Sequence, residues 1–206
     1  MTRITLVLAI ALAVLPGAAR AKDEAPHSHG DHQSLDVDRP APLAGSSIYQ
    51  SGSEWTDMDG KRVRLRSLRG RPVALAMVYT HCTTACPLIL ANLQLIESTL
   101  SPEARERVWF VLASFDTERD RPAVLKKFAA AHELEPSRWR LLHGDRGAVR
   151  ELAMMLGVRY KQKAGGDFDH SNVITILDRD GVVRHQQVGL GAAPTEPASL
   201  LERLAR

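Results

Sequence analysis

Cys82 and Cys86 are the only cysteines of the 206-residue chain, and they lie four apart in Thr80-His81-Cys82-Thr83-Thr84-Ala85-Cys86-Pro87. Thiols so spaced suit two kinds of chemistry. On a helical turn their Cα atoms would be about 6 Å apart, a separation that a disulfide tolerates. The same approach lets both sulfurs reach one metal ion. The apolar run Val73 to Tyr79 predicts a buried strand and Pro87 to Leu100 an amphipathic helix, which puts the pair where a strand hands over to a helix N-terminus. Free N–H groups and the helix dipole favour negative charge there, which lowers a thiol pKa and raises the thiolate fraction. Cys-x-x-Cys is the commoner pattern for dithiol-disulfide exchange, so the wider spacing favours a metal over plain exchange.

Two sulfurs do not complete a metal site. The third candidate is His170, in Gly165-Gly166-Asp167-Phe168-Asp169-His170-Ser171, read as a flexible loop entering a strand at Val173. Two thiolates and one imidazole suit three-coordinate Cu(I) or a Cu(II) thiolate site, whereas zinc usually takes a fourth ligand. His81 could modulate thiolate basicity without touching the metal. His27, His29 and His32 fall within six residues of one another, a spacing that can bind Cu(II) or Zn(II), although an ordinary linker carries such residues too. Asp116, Glu118, Arg119 and Asp120 read as a solvated helix start with its acids at the positive end of the dipole. Met154 and Met155 are adjacent and point in different directions on a helix, which makes at least one of them core.

The elements that must position these residues follow from the pattern. Arg3, the apolar stretch Ile4 to Leu15, Pro16-Gly17 and Ala19-Arg20-Ala21 together predict a secretory signal over residues 1–21, cleaved after Ala21; the stretch is too short to span a bilayer. Removing Arg3 and Arg20 lowers the formal charge from +3 to +1, which leaves no reason to expect nucleic acid as a partner. Residues 22–46 are polar and read as a flexible His-containing tail. Residues 47–206 suffice for one domain. In it Ser53 to Thr56 and Val63 to Leu65 flank Asp57-Met58-Asp59-Gly60 as a hairpin. Strands are predicted at Val108 to Ser114, Arg140 to His143, Val173 to Leu177 and Val182 to Gln187. Helices are predicted at Pro122 to His132, from an Asp145 cap to Leu156, and at Pro197 to Leu204. This alternation predicts an α/β sandwich in which a central mixed sheet is flanked by helices, with an N-terminal hairpin extension.

Over roughly Ile48 to Leu204 the chain resembles the Sco (SenC) family of copper-binding proteins. The likeness rests on Tyr79-Thr80-His81-Cys82 through Cys86-Pro87, on Phe115-Asp116-Thr117-Glu118-Arg119-Asp120, and on Asp169-His170-Ser171 ahead of a strand and an Asp-Gly turn. The resemblance implies a thioredoxin-like fold, copper held by Cys82, Cys86 and His170, and cysteines that cycle between dithiol and disulfide. As partners it implies the copper-centre subunit of cytochrome c oxidase or another cuproenzyme, to which copper is delivered or whose cysteines are reduced. A periplasmic thiol reductant would restore the dithiol. The alternative is a general periplasmic thiol-disulfide oxidoreductase using the same two cysteines. Thr117 stands where the family usually has proline, and Phe168 where valine is common.

Overall fold

The computed structural model describes residues 47–206. The predicted signal over 1–21 and the tail over 22–46, with His27, His29 and His32, lie outside the described residues. Seven strands form one sheet in the order β2-β1-β5-β4-β3-β8-β9. At its centre β3 (Val73–Val78), β4 (Trp109–Ser114) and β5 (Trp139–Gly144) run parallel. Val-Ala-Leu-Ala-Met-Val in β3 is buried at every position, as expected of a strand covered on both faces. The flanks are antiparallel. On one side β1 (Glu54–Asp57) pairs with β5 and with β2 (Arg62–Arg64), which is the predicted hairpin extension. On the other, β8 (Val173–Leu177) pairs with β3 and with β9 (Val183–Val188).

Five helices connect and cover the sheet: α1 (Ala85–Thr99), α2 (Pro102–Arg105), α3 (Pro122–Ala131), α4 (Arg146–Met155) and α5 (Thr195–Leu204). The first buries Ile89, Leu90, Leu93 and Ile96 and packs against β3, β8 and α5. Each such side chain removed from water contributes about 1.5–3 kcal/mol. The Asp145 cap forms as predicted, its carboxylate accepting from the Ala148 N–H at 2.8 Å. Met155 packs on the core, while Met154 is exposed. The chain enters the domain beside the β8–β9 turn, where the Ile48 N–H donates to the Gly181 carbonyl at 3.0 Å. Gly181 is required there twice over, because its φ is +78° and an added Cβ would lie 2.7 Å from the Tyr49 ring.

The structure adds a hairpin absent from the sequence reading. β6 (Tyr160–Gln162) and β7 (Phe168–His170) pair antiparallel as a separate two-stranded sheet, with Tyr160 opposite His170. The glycine-bearing segment before His170 is thus the turn of a hairpin and not a plain loop, and His170 is held by strand pairing.

Candidate metal centre

The end of β3 and the start of α1 present both cysteines. Helix α1 begins at Ala85, two residues earlier than predicted, so Cys86 lies in its first turn and Cys82 in the loop before it. Both are buried and neither is in a disulfide. The Cys86 N–H, one of the donors that a helix start leaves free, points at the Cys82 sulfur with N to Sγ at 3.3 Å. β7 brings His170 against the same point, with Nε2 at 3.5 Å from Cys86 Sγ. The three donor atoms all lie within 4.8 Å of one another, and among the described residues no fourth His, Cys, Asp or Glu joins them.

The histidine is fixed in orientation and tautomer. Its Nδ1 is 3.1 Å from the Ser171 carbonyl, which can only accept, so Nδ1 donates there and Nε2 is left as the acceptor facing Cys86 Sγ. Phe115 packs on the imidazole with ring centroids 5.0 Å apart, and Tyr79 meets it edge-on at 6.1 Å. With Phe168 these rings wall the site from water.

The two thiols are set apart by their surroundings. Burial works against the Cys82 thiolate, but N–H donation from Cys86 and Thr84 and the side chains of the same residues outweigh it and bring its pKa down to about 6. Burial pushes the Cys86 thiol well above the ordinary range, reinforced by the Cys82 charge and by Asp120. The thiolate is the reactive form and its fraction rises with pH through the pKa. In the reduced, metal-free protein, alkylation by iodoacetamide should therefore rise through about pH 6 and level off at Cys82, while Cys86 stays unmodified at neutral pH. Peptide mass spectrometry of the labelled protein checks this; equal labelling of both thiols with the pH profile of a free cysteine would contradict it.

The acidic segment after β4 corrects the reading from sequence. Asp116 and Asp120 are 1% and 0% exposed, not part of a solvated helix start. The reason is that Asp120 has a partner in a distant segment, while the turn after Asp116 folds its own N–H groups and Arg119 onto that carboxylate. Asp120 accepts from the Thr80 N–H at 2.9 Å, from the Thr80 hydroxyl and from the Ser114 hydroxyl at 2.6 Å. It thereby ties down the start of the cysteine loop. Asp116 accepts from the Glu118 and Arg119 N–H groups and pairs with the Arg119 guanidinium, which also donates to the Gly166 carbonyl in the turn between β6 and β7. One short segment thus holds both the cysteine loop and the histidine hairpin. Sequence reasoning missed this role; the available signal was Ser114 and Asp120 flanking the end of an otherwise apolar strand.

His81, Asp116 and Asp120 form a second group close enough for a metal, but hydrogen bonds from the protein occupy both carboxylates. His81 is exposed and turns to Thr80 and Asp120, with no contact to either sulfur among the described ones. Among the remaining histidines, His132 packs on Phe128 with the two rings tilted, and His185 lies 3.5 Å from Glu196.

The family model described as SCO1/SenC matches residues 44–205. The SCO1 protein homolog of Bacillus subtilis (strain 168) is 30% identical over 141 residues, covering 67% of this chain and 72% of that protein. The Bradyrhizobium japonicum ScoI structure, which has copper bound, is 28% identical with a TM-score of 0.60 and covers 74% of this chain and 96% of that one. A SCO1/SenC family lipoprotein from Bacillus anthracis str. Ames, at 22% identity, shares the fold with a TM-score of 0.69 over 82% of this chain and 99% of its own. With a thioredoxin-like architecture in common with these structures and a family match running through nearly all the described residues, the chain belongs to the SCO1/SenC family.

Proposed function

We propose that this protein is an exported, periplasmic copper chaperone that holds copper on Cys82, Cys86 and His170. It delivers the metal to the binuclear copper centre of cytochrome c oxidase or of a related cuproenzyme, or reduces the cysteines there. The observation that carries this reading is the buried two-sulfur, one-imidazole group with His170 Nε2 3.5 Å from Cys86 Sγ. Soft thiolates favour Cu(I), and a donor set of three meets its needs while leaving zinc one ligand short. Family membership supports copper, as does the copper-bound ScoI relative. Export rests on the N-terminal sequence, and no helix among the described residues is long and apolar enough to cross a membrane.

The low pKa of Cys82 favours a second use of the same pair. A Cys82 thiolate attacks one sulfur of a partner disulfide and the other sulfur leaves as a thiolate. Cys86, once deprotonated, then attacks Cys82, releasing the partner's second thiolate. The net exchange oxidises this dithiol to a disulfide and reduces the partner's disulfide to a dithiol. A Cys82–Cys86 disulfide has no thiolate left for copper, so loading and oxidation exclude each other.

His170→Ala separates the two uses. Anaerobic titration with Cu(I) should show copper affinity reduced at least tenfold, and the Cu(II) thiolate absorption should change, because a two-sulfur site remains. Exchange with a small disulfide should stay near wild type, since the attacking sulfur is untouched. Unchanged affinity and spectrum alongside collapsed disulfide reduction would refute the chaperone and establish the oxidoreductase.

A further inference from the structure

Helix α1 is capped by a sulfur. Thr84 occupies the N-cap, where a threonine hydroxyl ordinarily accepts from the N–H two or three residues on, yet its side chain makes no such bond. The N–H two residues on is that of Cys86, and it goes to Cys82 Sγ at 3.3 Å instead. The Thr84 hydroxyl, released from capping, lies 3.8 Å from the same sulfur. The thiol has taken the place of the hydroxyl at the helix start, and the hydroxyl has turned to the thiol.

The chemistry of the pair fixes the direction of that contact. A thiol and a hydroxyl can donate either way, but a sulfur that binds a metal or attacks a disulfide carries no proton and can only accept. In both working states the Thr84 hydroxyl is therefore the donor. It stands on the solvent side, since Thr84 is exposed while Cys82 is 8% exposed. From the buried side the Tyr79 hydroxyl reaches the same sulfur and accepts from the Phe168 N–H at 3.5 Å. The Tyr79 ring packs on Phe115, Phe168 and His170, so its removal would disturb the wall of the site. Thr84 lies outside that packing and isolates the hydrogen bond.

We infer that Thr84 is a positioning residue whose hydroxyl donates to the unprotonated Cys82 sulfur, holding the pair toward the dithiol and a bound copper toward Cu(I). A disulfide sulfur is neutral and accepts more weakly than a thiolate, so this hydrogen bond stabilises the reduced form more than the oxidised one. Donation to a ligating thiolate likewise withdraws electron density that Cu(II) needs more than Cu(I). The inference rests on the proposed use of this pair, but its first readout needs no metal.

The test is redox equilibration of the full, metal-free chain with glutathione at neutral pH. Two glutathione molecules give two electrons to the Cys82–Cys86 bond and join as their own disulfide. Cys86 takes one of their two thiol protons, Cys82 keeps its charge, and the other proton goes to solvent. Thr84→Val keeps the branched shape without the hydroxyl and should shift the equilibrium about fivefold toward the protein disulfide, which is about 20 mV for a two-electron couple. In the copper-loaded protein the Cu(II) thiolate absorption of this variant should move to longer wavelength, because no donor lowers the energy of the sulfur electrons promoted in that band. Thr84→Ser restores the hydroxyl and should return both readouts to near wild type. Thr83→Val removes a neighbouring exposed hydroxyl that bonds to neither sulfur, and should change neither readout. An unmoved equilibrium in Thr84→Val, an equal shift in Thr83→Val, or no recovery in Thr84→Ser would overturn the inference. The glutathione equilibrium decides this even if wild type takes up no copper, a result that would refute the chaperone alone.

Discussion

Replacing either Cys82 or Cys86 by serine is expected to abolish tight copper binding, where the reduced wild-type protein binds one copper ion per chain. Each thiol is one of only two in the sequence, and a serine hydroxyl is a hard, protonated donor with little affinity for a soft ion. The two changes remove different things. Cys82→Ser takes away the readily ionised sulfur that the Cys86 N–H addresses at 3.3 Å, whereas Cys86→Ser takes away the sulfur that faces His170 Nε2 at 3.5 Å. Both leave Ile89, Leu90, Leu93 and Ile96 of α1 in place, so the thermal transition should move little while the copper is lost. Metal analysis after dialysis of the reduced variants decides the matter, and stoichiometric copper in either one would exclude this site.

The second large effect should come from a residue that touches neither the metal nor the sulfurs. Asp120→Ala leaves the Thr80 N–H, the Thr80 hydroxyl and the Ser114 hydroxyl without their acceptor at a fully buried position. Stranding buried donors costs about 1–3 kcal/mol each, and because the contributions are not additive the expected loss is about 3–5 kcal/mol. For a domain of this size that corresponds to a Tm lowered by on the order of 10 °C. Asp120→Asn keeps the shape and one acceptor oxygen and should cost less. Copper affinity should fall along with stability in the alanine variant, because the loop leading into Cys82 is no longer pinned. Calorimetry reads the first effect and competition titration the second; a Tm within a degree or two of wild type would show that Asp120 does not anchor the loop.

Local chemistry in the sequence was enough to place most elements. Val73 to Val78 is apolar at every position and forms the covered central strand, Asp145 caps α4 through its own carboxylate, and Asp57-Met58-Asp59-Gly60 turns the β1–β2 hairpin. These features depend on neighbours a few residues away, which a single sequence displays. The cysteines, too, announce a helix start and thiol chemistry from their own surroundings, while His170, one of eight histidines, is picked out by its place ahead of the strand at Val173 and by the family resemblance.

What only the tertiary structure decided concerns groups whose environment comes from far along the chain. The strands Tyr160–Gln162 and Phe168–His170 are too short to carry a periodic signal, and their pairing, which fixes His170, exists only once the hairpin closes. Asp116 and Asp120 belong to a charged stretch that looks solvated. They are buried because the parallel pairing of β3 with β4 brings Thr80 beside Ser114 and Asp120, and because Arg119 links Asp116 to the turn before β7. The division of the dithiol into an acidic Cys82 and a resistant Cys86 has the same origin. The helix start offers its N–H groups to the first sulfur, while β7 and the core close over the second, and in a poorly solvated interior a thiolate forms only where donors await it.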